Sequence, residues 1–263
     1  MRSLRIVSPL VLGSLLLSGC ITQTESVFTE EASMDKAMEQ RVALARSYIG
    51  KGNWEDAKRN LQAAVAISDS NPEIYEAYAL VYQSTGENEL AEDNFRRALT
   101  LDPDFSRARN NYAAFLFTEE RFAEAERQLS TVVKDTLYNA RPQAFSNLGL
   151  ARLQLGDSNG ADEAFVRALS MQPENLVALL ELASLRLDAG DLSNAQRFYN
   201  EYRSRLRSRQ SPRGLLLGIH LAQATGNADA ESSYALALRN LYPESNEFAE
   251  YERSLDGNPA SRQ

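Results

Sequence analysis

The sequence predicts an all-α protein that folds as a solenoid of six stacked helical pairs. Residues that favour helices, chiefly Ala, Leu, Glu, Arg and Gln, recur along the chain, while its 13 glycines and 8 prolines come at intervals. A short pattern that starts at or beside a glycine occurs five times, and a sixth copy fits the same frame without one. A single helical pair cannot bury its apolar face alone, so the copies must stack into one continuous core.

The first 19 residues read as a secretory signal. Arg2 and Arg5 provide a positive start, and residues 6–17 form a nearly unbroken apolar run that is too short to span a membrane. The segment LSGC at residues 17–20 resembles a bacterial lipobox, after which the signal is cut off and the cysteine carries acyl chains. The alternative is an ordinary secreted protein whose cleavage site happens to contain a cysteine.

Cys20 is the only cysteine of the chain, so it cannot form an internal disulfide or a multi-cysteine metal site. An acylated Cys20 would serve as a membrane anchor, because each buried CH₂ of an acyl chain contributes about 0.8 kcal/mol to membrane binding. Ile21 follows it, where an aspartate would resemble an inner-membrane retention signal. We therefore expect acyl chains on Cys20 to hold the protein on the periplasmic face of the outer membrane.

Residues 20–37 are polar and lack a clear period, which predicts a flexible tether after the lipidated cysteine. The six repeats are predicted over 38–244. Residues 245–263 begin with SNEFAEYERSL, which predicts a capping helix, and end in a loose C-terminus.

The repeats have a period of about 34 residues. Their predicted starts lie near residues 38, 72, 106, 142, 176 and 211, and their most similar segments are GNWEDAKRNLQAAV, GENELAEDNFRRAL, ERFAEAERQLSTVV, GDSNGADEAFVRAL, GDLSNAQRFYNEYR and TGNADAESSYALAL. A period of 34 is that of the tetratricopeptide repeat, a helix–turn–helix unit. The resemblance implies a right-handed superhelix of six such repeats.

The second repeat explains why these residue types recur. Tyr75 and Tyr78 lie on one apolar face of its first helix, and Gly86 ends that helix where a left-handed residue is needed. Ala91 is predicted to lie where the two helices cross, because only a small side chain fits there. Pro103 then ends the second helix.

Composition and motifs argue against several functions. The chain has 28 basic and 36 acidic residues, and loss of the signal peptide changes its formal charge from −8 to −10, which disfavours nucleic acid as a partner. No phosphate-binding loop, nucleophile elbow or zinc motif occurs in the sequence, so we expect no enzyme activity, cofactor, metal or small-molecule substrate. The single histidine, His220, is interpreted as a packed or surface residue in preference to a metal ligand. The single tryptophan, Trp54, is interpreted as a packing residue in preference to a recognition aromatic.

The concave face of the solenoid is the candidate binding surface. Repeats of this kind form that face from positions 2, 5, 9, 12 and 13 of each unit, which here carry large apolar residues: Val42, Ile49, Leu80, Phe117, Leu150, Leu153, Leu180 and Leu187. Exposed apolar strips usually mark a partner surface. The alternative is that the superhelical twist buries about half of them.

A second candidate surface is the basic segment YRSRLRSRQ at 202–210, which places four arginines in an acidic protein. It could contact lipid headgroups or an acidic partner. The alternative is a basic helix end that the helix dipole favours.

Four segments resemble the type IV pilus biogenesis lipoproteins of the PilF/PilW kind. They are ARNNYAAFLFTEERFAEAERQL, DTLYNARPQAFSNLGLARLQLGD, GLLLGIHLAQ and SYALALRNLYPES. Members of that family are pilotins, which help the pilus secretin reach the outer membrane and assemble into a multimeric pore. The resemblance implies the secretin subunit as partner. The apolar strip of the first three repeats lies closest to the tether, so we expect the contact there. Glu120 departs from the usual glycine without affecting the assignment.

Two other functions stay open at this point. One is another periplasmic repeat-containing scaffold lipoprotein, serving outer-membrane protein assembly or cell-wall hydrolases, which would lack the DTLY and LLLGI segments. The other is an enzyme, which would need a catalytic constellation that the sequence does not reveal.

Overall fold

The computed structural model describes residues 30–256, which form thirteen α-helices and no β-strand. The helices are α1 (Glu30–Ile49), α2 (Trp54–Ile67), α3 (Pro72–Thr85), α4 (Asn88–Leu101), α5 (Ser106–Thr118), α6 (Phe122–Val132), α7 (Arg141–Gln154), α8 (Ser158–Met171), α9 (Leu176–Asp188), α10 (Leu192–Arg205), α11 (Pro212–Thr225), α12 (Ala228–Leu241) and α13 (Asn246–Asp256). Each odd-numbered helix up to α11 packs against the helix that follows it, and each pair packs against the next. The predicted all-α solenoid is confirmed.

Six residues with positive φ mark the turns inside the six pairs. Five are glycines, and the sixth, Glu120, has a φ of 58° in the corresponding turn of the third pair. In the sixth pair this residue is Gly226, one position later than in the segment alignment. The sixth unit therefore begins at Pro212, which corresponds to Pro72 of the second unit, and not at 211. The connection before it is longer than the alignment assumed.

The first helix begins earlier than the sequence predicts. The proposed tether extended to residue 37, but α1 starts at Glu30. No glycine or proline interrupts the chain between that residue and Gly50, so the helix of the first repeat extends backward without a stop signal. Residues 34–37 are exposed and Met38 is the first buried side chain, so the packed solenoid itself begins at Met38.

The core has small residues where helices cross and aromatic residues beside them. Ala91 and Ala161 are fully buried, as are Phe95 and Phe165 of the same second helices. Gly149 of α7 lies so close to α8 that an added Cβ would fall 2.5 Å from Cε1 of Phe165. The close approach of paired helices therefore depends on these small residues.

The GLLLGI segment is explained by tyrosine packing at the start of α11. Cβ atoms at Gly214 and Gly218 would collide with Tyr202 and Tyr199 of α10. The Tyr199 hydroxyl donates a 2.9 Å hydrogen bond to the carbonyl oxygen of Gly214, and burial raises the pKa of that phenol. At the far end, α13 packs on α11 and α12 and covers the last apolar surface with Phe248.

Glu120→Gly is expected to stabilise the protein by about 0.5–1 kcal/mol, because glycine adopts a positive φ without the clash that Cβ introduces. For a chain of this size that corresponds to a rise of about 2–3 °C in the melting temperature. Thermal unfolding followed by circular dichroism measures it. Glu119→Gly is the matched control, since Glu119 has a φ of −85° and its replacement should lower the melting temperature. A fall with Glu120→Gly would contradict the prediction.

Candidate functional site

A strip of half-buried apolar side chains crosses the central repeats. Leu80, Phe117, Leu150 and Leu153 all pack against the same central core cluster while keeping part of their surface exposed. They come from α3, α5 and α7, three successive first helices that contact one another. The structure therefore brings together four of the residues that the sequence assigned to the concave surface.

The centre of this strip is a pocket between α5, α6 and α7, which we call the central pocket. Its volume is about 210 Å³, and it is lined by Ala113, Ala114, Phe117, Thr118, Leu129, Asn147 and Leu150. The Phe117 ring meets the Phe122 ring edge to face at a centroid distance of 5.1 Å, which fixes one wall. An apolar side chain of a partner would be surrounded by apolar walls here, with Thr118 and Asn147 available for hydrogen bonds.

Two residues of the predicted strip belong to the core. Val42 is only 2% exposed, because α2 and α3 both pack against α1 and cover it. Leu180 is buried against α10 and α11 in the same way. The assignment of Val42 to a partner-binding groove is therefore wrong, because the neighbouring helices cover this position. Ile49 and Leu187 are half-buried and pack against the core clusters of the outer repeats, away from the central pocket.

The N-terminal side of the strip is polar and paired. Glu76 of α3 is completely buried, and its carboxylate receives hydrogen bonds from Arg46 of α1 and, at 2.6 Å, from Asn111 of α5. Arg107 of α5 lies beside the same carboxylate at 3.9 Å. Because a buried carboxylate requires such partners, these residues fix the relative positions of the first helices of three repeats.

The C-terminal side has a similar pair between α9 and α11. Nε of Arg213 donates to Oε1 of the buried Glu181 at 2.7 Å, and this hydrogen bond raises the pKa of Arg213. The central apolar strip therefore lies between two inter-repeat ion pairs. A partner segment that follows the concave surface would meet apolar contacts at the centre and charged side chains at both ends.

The remaining candidates occupy other parts of the molecule. Trp54 packs against the core of the first repeat, and His220 lines a separate cavity of about 360 Å³ with Asp188 and Arg213. Within residues 30–256, no group of three or more His, Cys, Asp or Glu side chains is placed to hold a metal ion, and no helix is long and apolar enough to cross a membrane. Cys20 lies outside the described residues.

Sequence reasoning missed the smaller residues of the central pocket. Ala114 and Thr118 occupy positions 9 and 13 of the third repeat, which are concave positions, but only large apolar residues were selected. Asn147 was missed because a polar residue at an unselected position gives no signal in a single sequence. For Ala114 and Thr118, the position within the repeat would have been enough to assign them to the concave face.

The fold and the concave pocket define a tetratricopeptide-repeat protein. The tetratricopeptide repeat family matches residues 42–104, 77–135 and 146–212. The chain is 34% identical over 237 residues to the type IV pilus assembly protein PilF of Pseudomonas aeruginosa, which covers 90% of this chain and 93% of that protein. It therefore belongs to the tetratricopeptide-repeat proteins of type IV pilus biogenesis.

Two solved structures agree with this family. The structure of Pseudomonas aeruginosa PilF superposes with a TM-score of 0.79 and covers 84% of this chain and 99% of its own. The structure of PilW, described as a widely conserved type IV pilus biogenesis factor, has 29% identity and a TM-score of 0.71, covering 81% of this chain and 97% of its own. The likeness extends over nearly the whole of both known structures, so it includes the central pocket region.

Proposed function

We propose that this protein is a lipid-anchored outer-membrane protein that binds the pilus secretin and promotes its outer-membrane localisation and multimerisation. The observation that carries the proposal is the central pocket, an apolar cavity in the middle of a concave surface on a protein of type IV pilus biogenesis. Tetratricopeptide repeats act by binding other proteins, and apolar strips of this kind mark where they do so.

In this proposal the secretin segment binds to the central repeats. Leu80, Phe117, Leu150 and Leu153 supply the apolar contacts, and Ala114 leaves room for an incoming side chain. This proposed site is one repeat further from the N-terminus than the first three repeats, because Val42 is part of the core. An extended or helical segment with large apolar residues fits this surface, and its binding keeps that segment from aggregating before membrane insertion.

The anchor is proposed on Cys20, from the resemblance of residues 17–20 to a lipobox. Several acyl chains on one residue hold a protein at a bilayer, since each buried CH₂ adds about 0.8 kcal/mol. The anchor would bring the bound secretin to the membrane in which it inserts. Binding and delivery are then separate properties, one located in the central pocket and the other at the N-terminus.

Cys20→Ser is expected to release the protein from membranes without weakening its interaction with the secretin. The serine hydroxyl is not a substrate for thioether acylation, so the chain loses its anchor while residues 30–256 stay unchanged. Membrane flotation, mass spectrometry of the N-terminus and affinity purification in mild detergent measure the three consequences. Thr22→Ser, two residues away, is the matched control and should remain acylated and membrane-bound.

The two parts of the proposal fail separately in this experiment. An unmodified Cys20 in the parent protein would contradict the lipid anchor. Absence of the secretin from the purified acylated protein, with another envelope protein in its place, would contradict the choice of partner and favour a different periplasmic scaffold role.

A further inference from the structure

The two edges of the solenoid differ in what they expose. Each second helix runs antiparallel to the first, so the connections between repeats all lie on one edge, together with the start of α1. We call this the inter-repeat edge; its connections are 68–71, 102–105, 133–140, 172–175, 206–211 and 242–245. The turns inside the repeats lie on the opposite edge, about 20 Å away along helices of 14 residues.

The two longest connections of the inter-repeat edge have unusual surfaces. Connection 133–140 carries Leu137, which is 89% exposed and more exposed than any other large hydrophobic side chain of the described residues. Its backbone is held in place because Asp135 accepts a hydrogen bond from the Leu137 N–H at 2.9 Å and another from the Ser106 hydroxyl at 2.6 Å. An apolar side chain is thus presented to solvent by an ordered loop.

Connection 206–211 and the end of α10 carry the arginines. Arg203 lies over the Tyr234 ring, whereas the side chains of Arg205, Arg207 and Arg209 are exposed and form no ion pair or hydrogen bond with residues 34–255. The neighbouring connections contribute one carboxylate each, at Glu174 and Glu244, so the cluster keeps a local positive charge on a protein with a net charge of −8. Exposed arginines without a partner in the protein fit an anionic partner that offers many phosphates.

We propose that the inter-repeat edge is a membrane-facing surface, on which the arginines at 203–209 contact lipid phosphates and Leu137 enters the headgroup region. This deepens the proposed function and rests on its lipid anchor. Nine residues lie between Cys20 and Glu30, so the two are at most about 35 Å apart, and the N-terminal end of α1 projects from this same edge. Anchoring supplies a high local lipid concentration, so a weak contact suffices. Each arginine near an anionic leaflet strengthens membrane binding about fivefold.

The test uses the full-length mature, acylated protein in vesicles of phosphatidylcholine and phosphatidylglycerol. The acyl chains of these lipids carry bromine, which quenches the fluorescence of nearby tryptophan side chains. Native Trp54 starts α2 on the opposite edge and serves as the built-in control. In the Leu137→Trp variant with Trp54→Phe, the reporter lies on the inter-repeat edge. We expect the edge reporter to lose about half or more of its emission, as a side chain in the headgroup region would, and Trp54 to lose almost none.

Charge is tested by adding Arg205→Gln, Arg207→Gln and Arg209→Gln, which should bring quenching of the edge reporter down to that of Trp54. The control with equal charge loss elsewhere is Lys51→Gln, Arg59→Gln and Arg127→Gln, which should leave quenching unchanged. Acylation and vesicle flotation are verified first, so a failed anchor is recognised separately. An unquenched edge reporter on floated vesicles overturns the proposal. Binding of soluble polyglutamate to the arginines would not rescue it, because that result would point to an acidic partner and not to lipid. Quenching that survives the triple substitution overturns the role of the arginines.

Discussion

Phe117→Asp combined with Leu150→Asp is expected to eliminate secretin multimers while the lipoprotein itself stays at the membrane. Both side chains line the central pocket, and each is half-buried in the free protein, so only their remaining surface is available to a partner. Full burial of such a side chain contributes about 1.5–3 kcal/mol, and the available half of each therefore about 1 kcal/mol. Loss of both, with carboxylates in their place, weakens binding by about tenfold or more.

The measurement has three readouts. Binding of the purified protein to the secretin gives the affinity, electrophoresis of unheated membranes gives the multimers, and twitching motility reports surface pili. Normal multimers in a cell whose double variant is folded and correctly localised would contradict the pocket assignment. Normal multimers after deletion of the whole protein would contradict the pilotin function itself.

A second variant separates binding from folding, because Phe117 also packs against the core. Ala114 is exposed and lines the central pocket, so Ala114→Glu places a carboxylate in the cavity without removing any core contact. Ala123→Glu on α6 is its matched control, since that alanine is also exposed but does not line the pocket. We expect loss of binding with Ala114→Glu, unchanged binding with Ala123→Glu, and equal melting temperatures for the two.

The repeat pattern was sufficient to predict the architecture because the features it uses are local. A left-handed residue is needed at every turn inside a pair, and a glycine is the residue that adopts it most easily. The period therefore remained visible in five of six repeats, and Glu120 could be recognised because it fits the same frame. Buried Ala91 and Ala161 were predictable for a similar reason, since only small residues fit at a helix crossing.

The binding surface was less predictable, because exposure depends on neighbours that are distant in sequence. Val42 and Phe117 are both apolar residues at concave positions of a first helix. Val42 is enclosed by two neighbouring helices, whereas Phe117 borders the gap between α5 and α7. No feature of the residues themselves distinguishes the two. The buried Glu76 likewise carries no signal in the sequence, since its partners come from α1 and α5.

Gly149→Val is expected to destabilise the protein by about 3 kcal/mol, a large share of the total stability of a typical domain. Gly149 lies in the middle of α7, where its replacement by a residue with Cβ normally stabilises a helix by up to about 1 kcal/mol. Here a Cβ would fall 2.5 Å from the ring of Phe165, which is fully buried. The steric clash outweighs the helix propensity, so the sign of the effect reverses.

A graded series makes this reversal measurable. Gly149→Ala should lower the free energy of unfolding by about 1–3 kcal/mol. The control is Gly50→Ala, whose added Cβ would lie 3.6 Å from its nearest neighbour. It should change the free energy of unfolding by less than about 0.5 kcal/mol. In the background of Phe165→Ala the ring is gone, so Gly149→Val should cost much less than it does alone. Urea unfolding of the parent protein, Gly149→Val, Phe165→Ala and the double variant gives the coupling energy. Additive costs for Gly149→Val and Phe165→Ala would contradict the contact, because two residues that pack directly against each other cannot act independently at a helix crossing.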